Sequence, residues 1–199
     1  MDRKPADGKR RASVGARRSA DTEAAILEAA EALLREGGLA SFSIEAVARR
    51  ARAGKPTIYR WWPNKTRLLL DVYLRQKSSM EAIDTGSIEG DCLALLEGLF
   101  AYWKSGSGQV FRSVFAEAQS DDTAAEALRD YAADRRAVTG QLFERAKMRG
   151  ELSDNVDPAI AAELIAAYAW SRLLTGRLDA LRQELEATVR QMLRGVLKR

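Results

Sequence analysis

The chain has 199 residues, of which 46% are hydrophobic and 30% are charged, and its formal net charge is +4. Its single cysteine and its lack of histidine exclude an intrachain disulfide, a histidine-based catalytic triad and a zinc site built from several Cys or His ligands. Because no apolar run approaches the roughly 18 residues of a membrane span, and no apolar core follows the basic start as in a secretory signal, we expect a cytoplasmic protein with no membrane partner, metal or cofactor.

The basic residues are concentrated in the first third of the chain. Residues 1–65 contain 14 Lys and Arg against 8 Asp and Glu, a net charge of +6, whereas residues 66–199 carry a net charge of −2. Such asymmetry is typical of a protein with one end that binds a polyanion. Residues 1–20 have few large apolar side chains and no periodicity, which predicts a flexible basic arm. A tail that only aids solubility would explain the arm alone equally well.

Caps and breaks divide the N-terminal third into four predicted helices. The first helix starts at an Asp21 or Thr22 cap and ends at Gly37-Gly38, and the second starts at a Ser43 cap and ends at a break over 52–54. The third spans roughly 55–61, and the fourth runs from an Asn64 cap to about residue 83.

Five longer helices are predicted in the remaining two thirds, because apolar residues recur there every three or four positions. The first of them carries a stripe of Ile88, Cys92, Leu95, Leu99 and Trp103 and is interrupted at Gly106 and Gly108; the second is marked by Phe111 and Phe115. The third runs from Asp121 to about Arg149, and the fourth is an Ala-rich segment over 158–175. The last carries a stripe of Leu178, Leu181, Leu185, Val189, Met192 and Val196. The whole pattern predicts an all-α fold of about nine helices. The place of Cys92 in a stripe favours a small buried residue over a redox sensor.

The stretch SFSIEAVARRARAGKPTIYRWWPNKTRLL, residues 41–69, has the pattern of a helix-turn-helix. Two short helices are joined by a tight turn, and the second is flanked by groups that bind phosphate: Lys and Arg charges, Thr and Tyr hydroxyls, and free helix N-termini. Ile58 and Trp62 are predicted to pack inward. The predicted DNA-binding residues are Ser43, Lys55, Pro56, Thr57, Tyr59, Arg60, Asn64 and Lys65. Neighbouring arginines at 49, 50 and 52 fit either a phosphate contact or a solvated helix face.

The same stretch resembles the TetR family of one-component bacterial regulators. Residues 51–69, ARAGKPTIYRWWPNKTRLL, follow the family pattern AGVSKGTLYxHFxSKxxL. The marked positions of that pattern are occupied by Thr57, Ile58, Tyr59, Trp62, Lys65 and Leu68. The resemblance implies that Tyr59 and Lys65 contact phosphates and that the neighbourhood of 55–60 faces the major groove.

Three residues depart from the family pattern at the turn. Arg52 replaces the usual glycine, Gly54 stands where a capping Ser or Thr is common, and Pro56 replaces a small residue. Glycine is a tolerable N-cap, so the turn itself remains expected. Which side chains read the bases stays open.

The resemblance also implies the domain organisation. It predicts the arm at 1–20, a three-helix helix-turn-helix DNA-binding domain at 21–66, and a helical effector-binding and dimerisation domain at 67–199. For a homodimer interface on the last two helices it favours Leu164, Tyr168, Leu181, Leu185 and Met192. For an effector pocket it favours Phe100, Trp103, Phe111, Phe115, Tyr131 and Tyr168. Both sets fit equally a chain whose stripes and aromatic rings simply form its own core.

The function that these features favour is a transcriptional regulator, and a repressor rather than an activator. We expect a homodimer on a palindromic double-stranded DNA operator, released by a small-molecule effector. One alternative is a helical ligand-binding module without DNA binding, against which the Tyr59 and Lys65 pattern argues. Another is an enzyme that uses the helical pocket; the absence of histidine and of a catalytic carboxylate spacing argues against it.

Overall fold

The computed structural model describes residues 14–76 and 83–194. Within these two ranges nine α-helices are present and no β-strand, which confirms the predicted all-α class. None of these helices is long and apolar enough to cross a membrane. The helices are α1 (Val14–Gly37), α2 (Ile44–Ala51), α3 (Lys55–Trp61), α4 (Lys65–Gln76), α5 (Ile88–Tyr102), α6 (Gly108–Glu117), α7 (Asp122–Met148), α8 (Pro158–Leu174) and α9 (Arg182–Leu193).

The chain forms two compact units, one that ends at Lys65 and one that begins at Thr66. In the first unit α1 packs on α2, and α2 packs on α3. Each of these helices contributes a side chain with no exposed surface, namely Ile26, Val47 and Ile58. These β-branched residues belong to the buried core of this unit.

The second unit is built around five aromatic rings, here called the aromatic cluster: Tyr73, Trp103, Phe111, Tyr131 and Trp170. Phe111 lies at its centre, with ring centroids 5.1 Å from Tyr73, 6.3 Å from Trp103, 5.3 Å from Tyr131 and 5.9 Å from Trp170. The indole N–H of Trp103 donates to the hydroxyl of Tyr73 at 2.7 Å. Burial raises the pKa of the Tyr73 and Tyr131 hydroxyls. The cluster therefore joins α4, α6, α7 and α8 around the end of α5.

The predicted stripe on α5 is buried along its whole length. It ends in a wide turn at 103–107, where Gly106 has φ 108°, a value that favours glycine. Gly108 begins α6, and a Cβ there would lie only 2.7 Å from the carbonyl oxygen of Trp103. Within the stripe, Cys92 has no exposed surface, and burial raises the pKa of its thiol to about 12.

The first helix starts earlier than predicted. It begins at Val14 instead of near Asp21, so 14–20 are helical. The segment VGARRSA contains no proline, and its Ala and Arg residues are good helix formers, so no signal stops the helix from extending. Residues 1–13 lie outside the described residues, and the arm predicted there stays a prediction. The predicted end of α4 near residue 83 also falls beyond its described part.

The last helix starts later than predicted. It begins at Arg182, so Leu178 and Leu181 precede it instead of opening it. The buried guanidinium of Arg172 donates to the carbonyl of Arg177 at 2.6 Å and to Glu184 at 2.7 Å. This pair of bonds holds the connection between α8 and α9 in a non-helical turn. The apolar spacing alone could not reveal it, and residue 196 is outside the described range.

The aromatic cluster predicts a large difference between two phenylalanines of α6. Phe111→Ala should lower the free energy of unfolding by about 3–5 kcal/mol, because it leaves a cavity among four packed rings. Phe115 lies one turn later and is only half-buried, so Phe115→Ala should lower the free energy of unfolding by clearly less. Urea unfolding followed by circular dichroism measures both. Equal losses would show that Phe111 is not the centre of the core.

Candidate functional site

The helix-turn-helix consists of α2, a turn at 52–54 and α3. Ser43 Oγ accepts a hydrogen bond from the Ala46 N–H at 3.1 Å, and thus caps α2. Arg52 ends the helix with φ 51° and ψ 37°, and is the one non-glycine residue with positive φ among those described. The Ala53 N–H donates back to the Ala48 carbonyl at 3.0 Å. The turn therefore has the left-handed geometry that glycine usually supplies, with an arginine in its place.

Helix α3 presents one buried and one exposed face. Ile58 has no exposed surface, and the following Trp62 is 1% exposed, as predicted for inward residues. The exposed positions recur at i, i+1, i+4 and i+5, which is one side of a helix. They are Lys55, Pro56, Tyr59 and Arg60. Thr57 is half-buried beside them, and Pro56 lies in the first turn, where a missing N–H costs no hydrogen bond.

Lys55 and Arg50 are paired with carboxylates. Lys55 Nζ lies 3.0 Å from Glu45 Oε1, and hydrogen bonding to that carboxylate raises the pKa of Lys55. Arg50 donates two hydrogen bonds to Glu36, each of 2.6 Å. Arg50 therefore fits the solvated, ion-paired interpretation of its helix face. Sequence reasoning missed both acidic partners, because they lie 10 and 14 residues from their cations and no local spacing marks them.

Two other cations rest on aromatic rings. The Lys65 ammonium lies 5.9 Å from the centre of the Phe42 ring, and the Arg60 guanidinium lies 5.7 Å from that of Trp61. Neither forms an ion pair with a residue that the structure describes. A ring face orients a cation without neutralising its charge, so Arg60 and Lys65 can still pair with an anion from outside the chain. Lys65 is the first residue of α4; the capping role predicted for Asn64 stays a prediction.

The second unit contains a cavity of about 260 Å³ between α5, α7 and α8. Two of the six predicted pocket residues, Trp103 and Tyr131, line it. The other four are not in its lining but among the rings packed around it: Phe100, Phe111, Phe115 and Tyr168. Aromatic spacing marks a buried face, and it does not distinguish a core position from a cavity wall. Trp170 lines the cavity and was missed for the same reason, whereas Arg129, Arg135 and Arg136 line it from α7 without any apolar spacing that could mark them.

Helix α8 carries an uncovered apolar face. Ile160 and Leu164 are 60% and 57% exposed, Leu174 is 46% exposed, and Leu181, before α9, is 76% exposed. Tyr168 and Met192, also predicted for the interface, are half-buried. The predicted Leu185 is only 3% exposed, because α9 packs on α5 with that side inward. This burial removes Leu185 from the surface that a partner could reach.

Family comparisons cover both units. Residues 26–72 match the family described as "Bacterial regulatory proteins, tetR family". Residues 82–195 match the family described as "Tetracyclin repressor-like, C-terminal domain". The first match contains the whole helix-turn-helix, and the second contains the cavity and the apolar face of α8.

Individual relatives agree with these matches. The uncharacterized HTH-type transcriptional regulator YdeS of Bacillus subtilis is 33% identical over 80% of this chain and 82% of its own. The DNA-binding transcriptional repressor TetR of Mycobacteroides abscessus is 31% identical over 78% of this chain and 84% of its own. The crystal structure of the TetR family transcription regulator SCO0332 superimposes with a TM-score of 0.77 at 30% identity, covering 88% of this chain and 98% of the other.

The left-handed turn residue predicts a stabilising substitution. Arg52→Gly should raise the free energy of unfolding by about 0.5–1 kcal/mol, because relief of the left-handed strain outweighs the entropy that glycine loses on folding. Arg49→Gly, three residues earlier within α2, should instead lower it by about 1 kcal/mol. Chemical denaturation of the two variants measures both values. A loss of stability for Arg52→Gly would contradict the assigned turn geometry.

Proposed function

Because this chain belongs to the TetR family of bacterial transcriptional regulators, a family of DNA-binding proteins and not of enzymes, we propose that it is a repressor. It binds a palindromic operator as a homodimer and leaves it when a small molecule fills the cavity of the second unit. The observation that carries the proposal is the exposed face of α3, flanked by two cations, Arg60 and Lys65, that no described carboxylate neutralises. Phosphate oxygens are the natural partners of such cations.

The proposed DNA contacts divide into two kinds. Arg60, Lys65 and the exposed Tyr59 hydroxyl bind phosphates, together with the capped N-terminus of α2 at Ser43. The N-terminal turn of α3, with Lys55, enters the major groove, as the second helix of a helix-turn-helix does. Lys55 must exchange Glu45 for a base edge or a phosphate in order to do so. A DNA sequence that offers Lys55 no such group leaves the loss of its ion pair with Glu45 uncompensated, so binding to non-matching sequences is weaker.

The apolar face of α8 supports the homodimer. Ile160, Leu164 and Leu174 recur along one side of the helix and are exposed in the single chain, and contiguous exposed apolar residues mark interaction surfaces. A two-fold axis beside α8 would bury the same face from both copies. A homodimeric helix-turn-helix protein reads two half-sites that lie one DNA turn apart, roughly 34–36 Å. A palindromic operator follows from that symmetry.

The cavity supports release by a ligand. Two of its lining residues hold Tyr73: Trp103 donates a hydrogen bond to the tyrosine hydroxyl, and the Tyr131 ring lies 5.9 Å away. Tyr73 belongs to α4, whose first residue is Lys65. A ligand that displaces either lining ring therefore acts on the helix that begins at a phosphate-binding lysine. Release requires the ligand to prefer the conformation with the lower operator affinity.

Repression, as opposed to activation, is supported by one relative. The Mycobacteroides abscessus protein is named a DNA-binding transcriptional repressor, and it aligns with most of this chain. A reporter gene placed behind the DNA upstream of this chain's own gene tests whether the regulator represses or activates. Deletion of the regulator should raise expression; a fall would identify an activator.

Charge removal at the two ring-supported cations tests the DNA surface. Arg60→Gln and Lys65→Gln should each weaken operator binding and lower the slope of log affinity against log salt by about 1.8, because each removes one phosphate contact per subunit and so two from the homodimer. Fluorescence anisotropy of a labelled upstream duplex at several salt concentrations measures both effects. Arg50→Gln is the matched control, since Arg50 is paired with Glu36. A loss in the control as large as in the two variants would show that net charge alone governs binding.

A charge on the apolar face of α8 tests the dimer. Leu164→Glu should weaken self-association about 100-fold or more, because the interface would bury an unpaired carboxylate. Its operator affinity should fall in parallel. Met148→Glu, on a still more exposed apolar residue of α7, should leave the dimer intact. Sedimentation equilibrium measures the association constants, and an unchanged dimer in Leu164→Glu would place the interface elsewhere.

A further inference from the structure

The cavity between α5, α7 and α8 has one apolar wall and one cationic wall. From this asymmetry we propose that its ligand is a small organic carboxylate with a flat apolar body. The inference rests on the proposed function, because it names the chemical class of the effector. The two walls come from different helices, so each part of such a ligand would meet a different set of groups.

The apolar wall consists of flat rings and branched side chains. The indoles of Trp103 and Trp170 line it with Leu99 and Ile165. The Trp103 N–H is already used, because it donates to the Tyr73 hydroxyl at 2.7 Å. Trp103 therefore offers the cavity a ring surface and no hydrogen-bond donor. Burial of a flat hydrocarbon body is the interaction that this wall provides.

The cationic wall belongs to α7. Three arginines, Arg129, Arg135 and Arg136, line the cavity, and Glu163 of α8 is the one carboxylate among the described lining residues. Arg136 donates to Glu163 at 3.3 Å, so these two charges offset each other. Arg129 forms no ion pair with a residue that the structure describes, so an anion that enters the cavity meets its guanidinium.

The chemistry of the guanidinium group favours a carboxylate. Its planar fork of N–H donors matches the two oxygens of a carboxylate, and such charge-assisted pairs are the strongest hydrogen bonds available to a ligand. The hydroxyl of Thr139, also in the lining, provides a further donor. The volume of about 260 Å³ is below the roughly 300–1,000 Å³ of drug-sized sites. A molecule of one or two rings fits this space.

Two probes of equal shape and different charge test the inference on the full chain. 2-Naphthoate supplies a flat body with a carboxylate, and 2-naphthamide replaces that carboxylate by a neutral amide. Isothermal titration calorimetry should give 2-naphthoate an affinity about tenfold or more higher, as expected for charge-assisted hydrogen bonds. Equal affinities, a preference for the amide, or no binding of either probe would overturn the inference.

Three variants locate the binding. Arg129→Gln should lower the affinity for 2-naphthoate about tenfold and leave that for 2-naphthamide unchanged. Lys147→Gln is the matched control, a charge removed from an exposed position of the same helix outside the lining. Ala166→Phe fills the cavity and should abolish binding of both probes, with a thermal melt confirming that the variant folds. An unchanged affinity for 2-naphthoate in Arg129→Gln and Ala166→Phe would place the probe outside this cavity and refute the proposal.

DNA binding is measured separately, so that the two proposals can fail independently. If the chain binds its upstream duplex and 2-naphthoate does not bind the chain, the effector class is wrong and the regulator stands. If 2-naphthoate binds in the cavity as described but leaves the protein–DNA complex intact, the ligand class is supported and release by that ligand is wrong.

Discussion

The packing of one phenylalanine ring against four other rings is the constraint on which the second unit depends. Phe111 contacts Tyr73, Trp103, Tyr131 and Trp170, which belong to different helices or to the turn after α5. Because interiors are packed as densely as organic crystals, no one of these rings can move far without its neighbours. The core that stabilises the unit is therefore the same structure that walls the cavity and holds α4. A displacement of the cavity wall would therefore reach α4 through packed rings rather than through a long chain of polar contacts.

The cations of the first unit are held in two different ways. Among its cations, Lys55 is paired with Glu45 and Arg50 is paired with Glu36. Arg60 and Lys65 instead lie over aromatic rings. The unit thus has cations of two kinds around α3, some paired with a carboxylate and some placed over an aromatic ring. Under the proposed function, net charge would attract the DNA and this arrangement would centre the attraction on α3 and the start of α4.

Much of this architecture could be predicted from local sequence signals. Ser43 caps α2 and Asp121 caps α7 through single hydrogen bonds that the residue types foretell, and apolar spacing identified the buried face of α5. The errors have a common cause, since spacing shows that a face is buried without showing what covers it. Leu185 belongs to its own core, and the late start of α9 depends on Arg172, whose partners are 5 and 12 residues away. Cavity walls, ion-pair partners and left-handed residues likewise require the assembled structure.

The burial of Cys92 has a practical consequence for spectroscopy. It is the chain's only cysteine, it has no exposed surface, and the raised pKa of its thiol leaves little thiolate for reaction at neutral pH. A cysteine introduced on the exposed face of α3 would therefore be the single site open to a maleimide or a nitroxide reagent, with no need to remove the native thiol. In a dimer such a label appears once in each copy. The distance between the two labels would then report directly how far apart the two α3 helices stand, with and without ligand.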